Sequence, residues 1–247
     1  ILEKKYSDVR ITDVHEDSDV EVIITRQPDL VFLGMKFAPD DLQANAGQTW
    51  LSQRLHDAGI AYTGSSEAAA ILEHNKDLAK QRIRANGLAT AASILIEQGQ
   101  AYTNQDITIN YPIFIKPVDG GGGSGINESS LVYNFEELTQ QVTWLLSKVK
   151  SGALLETYLP GREFSIGILQ DTSSDDFYAM PLEIVAPLNQ SGSRYLSSRI
   201  KQEDSEQTSE VSDQELKARL SAFALAAFTA LGAQDYGRID VRMDAAG

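Results

Sequence analysis

The sequence predicts an α/β protein that runs on into α+β units, three in all. Three observations carry that expectation. Short β-branched or apolar runs of strand length alternate with stripes at helical spacing. Glycines stand where the stripes stop, as helix C-termini require. A chain of 247 residues, 42% of them apolar, is also long enough to bury several packed units. Boundaries are expected near residues 66 and 158, giving segments 1–66, 67–158 and 159–247.

In the first segment, Val9–Thr12, Glu21–Thr25 and Leu30–Leu33 read as strands. Residues 42–58, with Trp50, Leu51 and Leu55, read as a helix closed by Gly59, and Ile60–Thr63 gives a further strand before Gly64. Such alternation predicts a small layer with a parallel sheet. The second segment opens with a helix over 75–86 that turns Leu78 and Ile83 inward and stops at Gly87. Strands are expected over 91–96 and 112–116, then at Ser130–Tyr133. Asn134 and Glu137 have capping-box spacing ahead of a helix whose inner stripe is Leu138, Val142, Leu145 and Val149. Ala153–Glu156 and Glu163–Leu169 are strands joined by a turn at Pro160-Gly161.

The third segment holds a polar, acidic stretch, Lys201–Ser212, whose only apolar side chain is Val211, and a mobile loop is expected there. Ser212 with Glu215 then starts a helix carrying Leu216, Leu220, Phe223, Ala227, Phe228 and Leu231 as far as Gly232. In the final strand, Gly237–Met243, alternation puts Ile239, Val241 and Met243 on one face and Arg238, Asp240 and Arg242 on the other. The charged face is either a solvated strand face or a site that holds metal and oxyanion together.

The stretch with the most chemistry is Tyr111–Gly125, where an apolar strand runs into Lys116 and then into Gly120, Gly121, Gly122, Gly123, Ser124 and Gly125. Glycines can adopt φ > 0 and turn several backbone N–H groups toward one anion, while the lysine supplies a point charge. A Walker A loop is excluded, because there the lysine follows the glycines. The loop is thus a phosphate cover of another kind or a surface turn. A net charge of -14 opposes binding to a nucleic-acid backbone. The absence of cysteine excludes disulfides and zinc-thiolate sites, and His15, His56 and His74 lack ligand spacing. No apolar run is long enough to cross a membrane, so a soluble, cytoplasmic chain is expected.

Taken in order, Tyr62–Ser65, Asn75-Lys76 with Lys80, Lys116-Pro117, Leu154–Phe164 and Gly237–Val241 resemble the motifs of the ATP-grasp superfamily, and within it those of the D-alanine–D-alanine ligase family. The resemblance implies a three-unit fold: a Rossmann-like layer followed by two ATP-grasp subdomains. It implies ATP as the nucleotide, Mg²⁺ (or Mn²⁺) as the metal, and small amino-acid or carboxylate substrates joined through an acyl phosphate. By the same resemblance Lys76, Lys116 and Gly120 to Ser124 would hold phosphates. Glu156, Tyr158 and Leu159 would read the adenine edge, Glu163 the ribose, and Asp240 would bind metal. Arg238, Lys116 and Lys201 would serve the reacting groups. A homodimer is also implied.

The sequence departs from the family pattern on the substrate side. Gly122 and Gly123 stand where family members carry a serine pair, Gln202 follows Lys201 in place of tyrosine, and Leu33–Asp41 replaces a His-Gly and acidic-glycine turn. A related amino-acid or dipeptide ligase acting on another substrate is therefore expected, the alternatives being D-alanine–D-alanine ligation itself and an ATP-binding module without ligation. The family's remaining metal ligands, a glutamate and an asparagine, would follow Gly247, and its first strand would precede Ile1.

Overall fold

The computed structural model describes residues 2–37, 50–171, 173, 174, 176–189 and 192–247, without the side chains of Ser198 and Lys201. The chain separates into two compact units, Ile1–Ala70 and Ile71–Gly247.

The first unit is more helical than its sequence suggests. Glu21–Thr25 lies inside helix α1 (Asp17–Arg26), not in a strand, and Val9–Thr12 forms no strand. The reason is period: Val20, Ile23 and Ile24 fall on one helical stripe and pack with Val14, Leu51, Leu33 and Met35. A capping box fixes the start, Asp19 accepting from the backbone N–H groups of His15 and Glu16. Helix α2 (Leu51–Asp57) is shorter than expected at its start, where Trp50 is the N-cap, and residues 42–49 lie outside those described. Arg54 of α2 pairs with Asp17 and Glu21 of α1. Among the described residues, the expected parallel sheet is represented by one parallel bridge, between Val31 and Tyr62. Helix α3 (Glu67–His74) has no counterpart among the elements expected from the sequence.

The second unit is built on two four-stranded antiparallel sheets. It opens with helix α4 (Lys76–Ala85), capped by the Asn75 side chain. Contrary to expectation, Leu78 is 40% exposed and Lys80 is the residue α4 buries. Strands β1 (Ser93–Ile96), β2 (Ile113–Pro117) and β3 (Leu131–Val132) precede helix α5 (Phe135–Leu146), and β4 (Ala153–Thr157) completes a sheet of order β1-β4-β2-β3. Asn134 caps α5, with Glu137 reaching back to the Tyr133 N–H; the helix ends before Val149. Leu138, Val142 and Leu145 pack on Ile113, Ile115 and Leu155. Because side chains alternate along a strand, Lys116 and Glu156 must emerge on the opposite face.

The second sheet contains β5 (Glu163–Gln170), β6 (Phe177–Val185), β7 (Gln207–Glu210) and β8 (Tyr236–Arg242), in the order β7-β6-β5-β8. The stretch expected as a mobile loop instead forms helix α6 (Ser198–Glu203) and the edge strand β7, with Val211 buried beyond it. Its polar side chains do not prevent pairing, since the ladder with β6 takes up one edge of the backbone and every β7 side chain faces water. Helix α7 (Gln214–Ala230) is capped by Asp213 rather than Ser212, and its stripe of Leu216, Leu220, Ala224 and Phe228 covers Phe164, Ile166 and Ile168. The opposite face thus presents Glu163, Ser165 and Gly167, in register with Arg242, Asp240 and Arg238.

Between the sheets the chain crosses at 158–162, braced at both ends. The Tyr158 N–H donates to Pro112 O, and Gly161 and Met243 exchange backbone contacts with the neighbouring segment (Gly161 N–H to Met243 O, 3.0 Å; Met243 N–H to Arg162 O, 2.9 Å). A Cβ on Gly161 would lie 2.4 Å from the Asp244 carbonyl oxygen and 2.7 Å from that of Met243. We expect Gly161→Ala to destabilise the protein by about 1–3 kcal/mol, through overpacking against backbone that cannot rotate away. Urea unfolding checks this; an unchanged midpoint would mean that the crossing is looser than described.

Candidate active site

One carboxylate organises the first sheet's open face. Glu156 accepts an ion pair from Lys116 (2.5 Å, Oε2) and another from Lys80 (2.7 Å, Oε1), and Lys80 also donates to Thr90 Oγ1 at 2.7 Å. Burial alone would raise the Glu156 pKa, but the charges of Lys116 and Lys80 outweigh it and hold the carboxyl below its ordinary value. Burial pushes the Lys80 ammonium down despite that partner.

Lys76, at the start of α4, donates to the backbone carbonyls of Asp119 (2.7 Å) and Gly120 (2.9 Å), which puts its ammonium at the root of the glycine loop. Burial, with the Lys116 charge adding to it, lowers its pKa to about 8. In the loop itself Gly120, Gly122, Gly123 and Gly125 all have positive φ. At Gly125 a side chain is doubly excluded, since a Cβ would meet Pro117 Cγ at 2.5 Å.

A cleft of about 1130 Å³ joins this face to the second sheet. Lys76, Lys116, Gly121 to Gly123, Glu156, Tyr158, Leu159, Glu163, Arg238 and Asp240 all line it; Gly120 and Ser124 do not. Lys201 belongs to α6 by its backbone, and its side chain lies outside the described residues. Two further lining residues, Lys80 and Arg242, stand in the sequence as a motif residue and as one charge of the final strand's polar face, but the sequence assigns neither a role of its own.

On the second sheet Asp240 is held bidentately by Arg238 (3.0 and 3.1 Å) and accepts from Ser165 Oγ at 2.8 Å. Both partners of that pair are more than half exposed, so the attraction is weak and easily redirected to an incoming ion. Among the described residues no group of three or more His, Asp or Glu side chains could hold a metal. Asp240 alone suits Mg²⁺ only where phosphate oxygens and water fill the remaining octahedral positions. Glu163 pairs with Arg242 at 3.0 Å.

Two antiparallel sheets with a lysine-rich, glycine-covered cleft along their open faces define an ATP-grasp protein. The family profile described as D-ala D-ala ligase C-terminus matches residues 83–247, and the chain belongs to that family. It is 31% identical to the D-alanine–D-alanine ligase of Geobacter sulfurreducens over 74% of this chain and 54% of that protein. With the D-alanine–D-alanine ligase of Leptospira interrogans it shares 28% over 88% of this chain and 61% of the other. The chain therefore spans between half and two thirds of the length of these relatives. The crystal structure of D-alanine–D-alanine ligase from Bacillus anthracis superposes with a TM-score of 0.73 at 20% identity, covering 98% of this chain and 73% of that one, which establishes the shared fold.

Glu156→Gln should remove the anion shared by Lys80 and Lys116 and destabilise the protein by about 3–5 kcal/mol, the range for breaking a buried ion cluster from one side. Chemical denaturation reads this directly; a loss typical of an exposed pair would show that the three side chains are solvated rather than clustered.

Proposed function

We propose that the chain forms the nucleotide-binding and acyl-activating portion of an ATP-dependent carboxylate–amine ligase, which joins amino acids or similar small molecules and releases ADP and phosphate. The supporting observation is a cleft that carries three lysines around Glu156 on one wall and the Arg238–Asp240 pair on the other. In this reading 1–66 is a layer preceding the ATP-grasp portion, and the sheets of 67–158 and 159–247 are its two subdomains. Glu156, Tyr158 and Leu159 line the adenine end and Glu163 the ribose. Lys76 and Lys116 neutralise the triphosphate, lowering the repulsion that opposes attack by a carboxylate.

In the first step a substrate carboxylate oxygen attacks the γ-phosphorus; its bond to the β–γ bridging oxygen breaks, and ADP leaves with that electron pair. The amine then adds to the acyl-phosphate carbonyl carbon, and phosphate departs as the C–N bond is completed and the nitrogen loses its proton. Arg238 can turn from Asp240 to the oxyanion of that second step. Asp240 would hold Mg²⁺, or Mn²⁺ in its place, which when bound supplies charge neutralisation at the phosphates. Gly120 to Gly125 would close over the site and keep water from the acyl phosphate. A second reading, D-alanine–D-alanine ligation, is favoured by the names of the relatives; Gly122 and Gly123, where a serine pair would hold the first D-alanine, favour another first substrate.

Assay of the full-length protein with ATP, Mg²⁺ and a panel of D- and L-amino acids should reveal substrate-dependent ADP release with at least one pair. Silence across the panel would count against ligation. Within that assay Lys116→Ala should lower turnover by ~10²-fold, because a charge positioned on a transferring phosphoryl group is worth a few kcal/mol. Lys150→Ala, at an exposed position after α5, should leave it unchanged; equal losses would refute the placement of phosphates at the glycine loop.

Protonation of Lys76 gives an independent check. With its pKa near 8 in the free protein, the group is charged below that pH and neutral above it, and a bound triphosphate favours the charged form. ATP binding should take up a proton near pH 8 and weaken as pH rises past it. Calorimetry in buffers of different ionisation enthalpy measures both; an affinity flat from about pH 7 to about pH 9 would exclude Lys76 from the phosphate site.

A further inference from the structure

Arg242 is held by several partners at once at the end of β8. Strand alternation puts it on the same open face as Arg238 and Asp240, yet its side chain is only 18% exposed, against 63% for Arg238. All three guanidinium nitrogens are used. Nε donates to the Leu159 carbonyl, Nη1 to Glu163 Oε2 at 3.0 Å, and Nη2 to both Tyr158 Oη (2.9 Å) and the Arg194 carbonyl (2.5 Å). The guanidinium plane also lies over the Tyr158 ring, 4.8 Å from its centroid. Tyr158 Oη in turn donates to the Arg194 carbonyl at 2.9 Å, closing a ring of polar contacts.

This arrangement spans three separate stretches of chain: the end of β8, the crossing at 158–163, and the segment at Arg194. A planar fork with donors in fixed directions can serve all of them at once, whereas an ammonium on a flexible stem cannot. The partners are the residues that the ligase reading assigns to the nucleotide. Glu163 is oriented by the pair, and a carboxylate has lone pairs enough to accept from a guanidinium and from sugar hydroxyls together. Leu159 and Tyr158 are fixed by the same group.

We infer that Arg242 is a positioning residue for nucleotide recognition: it presents Glu163 to the ribose hydroxyls and fixes the Tyr158–Leu159 backbone along the base. The inference rests on the ligase reading above for its ligand. It assigns Arg242 no contact with the reacting phosphorus, so its loss acts on nucleotide binding and sugar selectivity, and not on the chemical step.

The test compares ATP, 2′-deoxy-ATP and 3′-deoxy-ATP on the full-length protein by calorimetry and, with a substrate pair in hand, by steady-state kinetics. The native protein should prefer ATP over the deoxy nucleotides by about tenfold, as expected for a hydrogen bond to a charged acceptor. Arg242→Met should bring the three nucleotides close to parity and raise the KM for ATP with kcat largely retained, and Arg242→Lys should restore only part of the preference. Glu163→Gln should abolish the same preference, and adding Arg242→Lys to it should change selectivity no further. That series also covers the case in which Arg242→Met fails to fold. Retention of the native preference in Arg242→Lys and Arg242→Met overturns the inference. Tight ATP binding by the native protein without any ribose preference also overturns it while leaving the ligase reading standing. Absence of ATP binding altogether removes that reading, and the inference with it.

Discussion

The Lys80–Glu156–Lys116 cluster is the constraint on which the site depends. Two ammonium groups share one buried carboxylate, at 2.7 and 2.5 Å, and the three residues come from α4, β4 and β2. A buried carboxylate with one lysine would be a closed pair, content to stay neutral. With two, the wall retains a positive charge after Glu156 has been satisfied, and Lys76 adds another at the glycine loop. This surplus sits in a chain whose net charge is -14, so the attraction for an anion is local and owes nothing to the whole protein's field.

The antiparallel sheets convert simple alternation into a two-sided division of labour. On β2 and β4 every second residue feeds the core under α5, leaving Lys116 and Glu156 to the cleft; β5 and β8 do the same under α7, leaving Glu163, Asp240 and Arg238. Register then decides which charges meet. Ser165 lies opposite Asp240 and Glu163 opposite Arg242, and these cross-strand partners are the ones found bonded.

Much of this was legible in the sequence, for identifiable reasons. The Gly237–Met243 strand announced its two faces by strict alternation, and the Asn134 cap and the α5 stripe announced that helix. The glycine run and its lysine were equally plain. Errors arose where a local pattern served two structures. Glu21–Thr25 is β-branched, but Val20, Ile23 and Ile24 also have helical period, and core contact decided the matter. β7 has no apolar residue to mark it, because an edge strand with both faces wet needs only backbone partners. The individual roles of Lys80 and Arg242 are not legible because burial of a charge depends on partners far away in sequence: Glu156 for one, the 158–163 crossing for the other.

The crossing between the sheets is secured at Gly161 by main-chain atoms, its N–H on the Met243 carbonyl and its Cα against that of Asp244. Contacts of this kind are made by main-chain atoms at 243 and 244 and depend on the number of residues there. Met243 must still fill its place against the core, but the crossing itself asks only for the main chain at these positions, whereas inserting or deleting one residue in either segment would shift Arg242 out of line with Glu163. Length, more than composition, is what this corner of the molecule holds fixed.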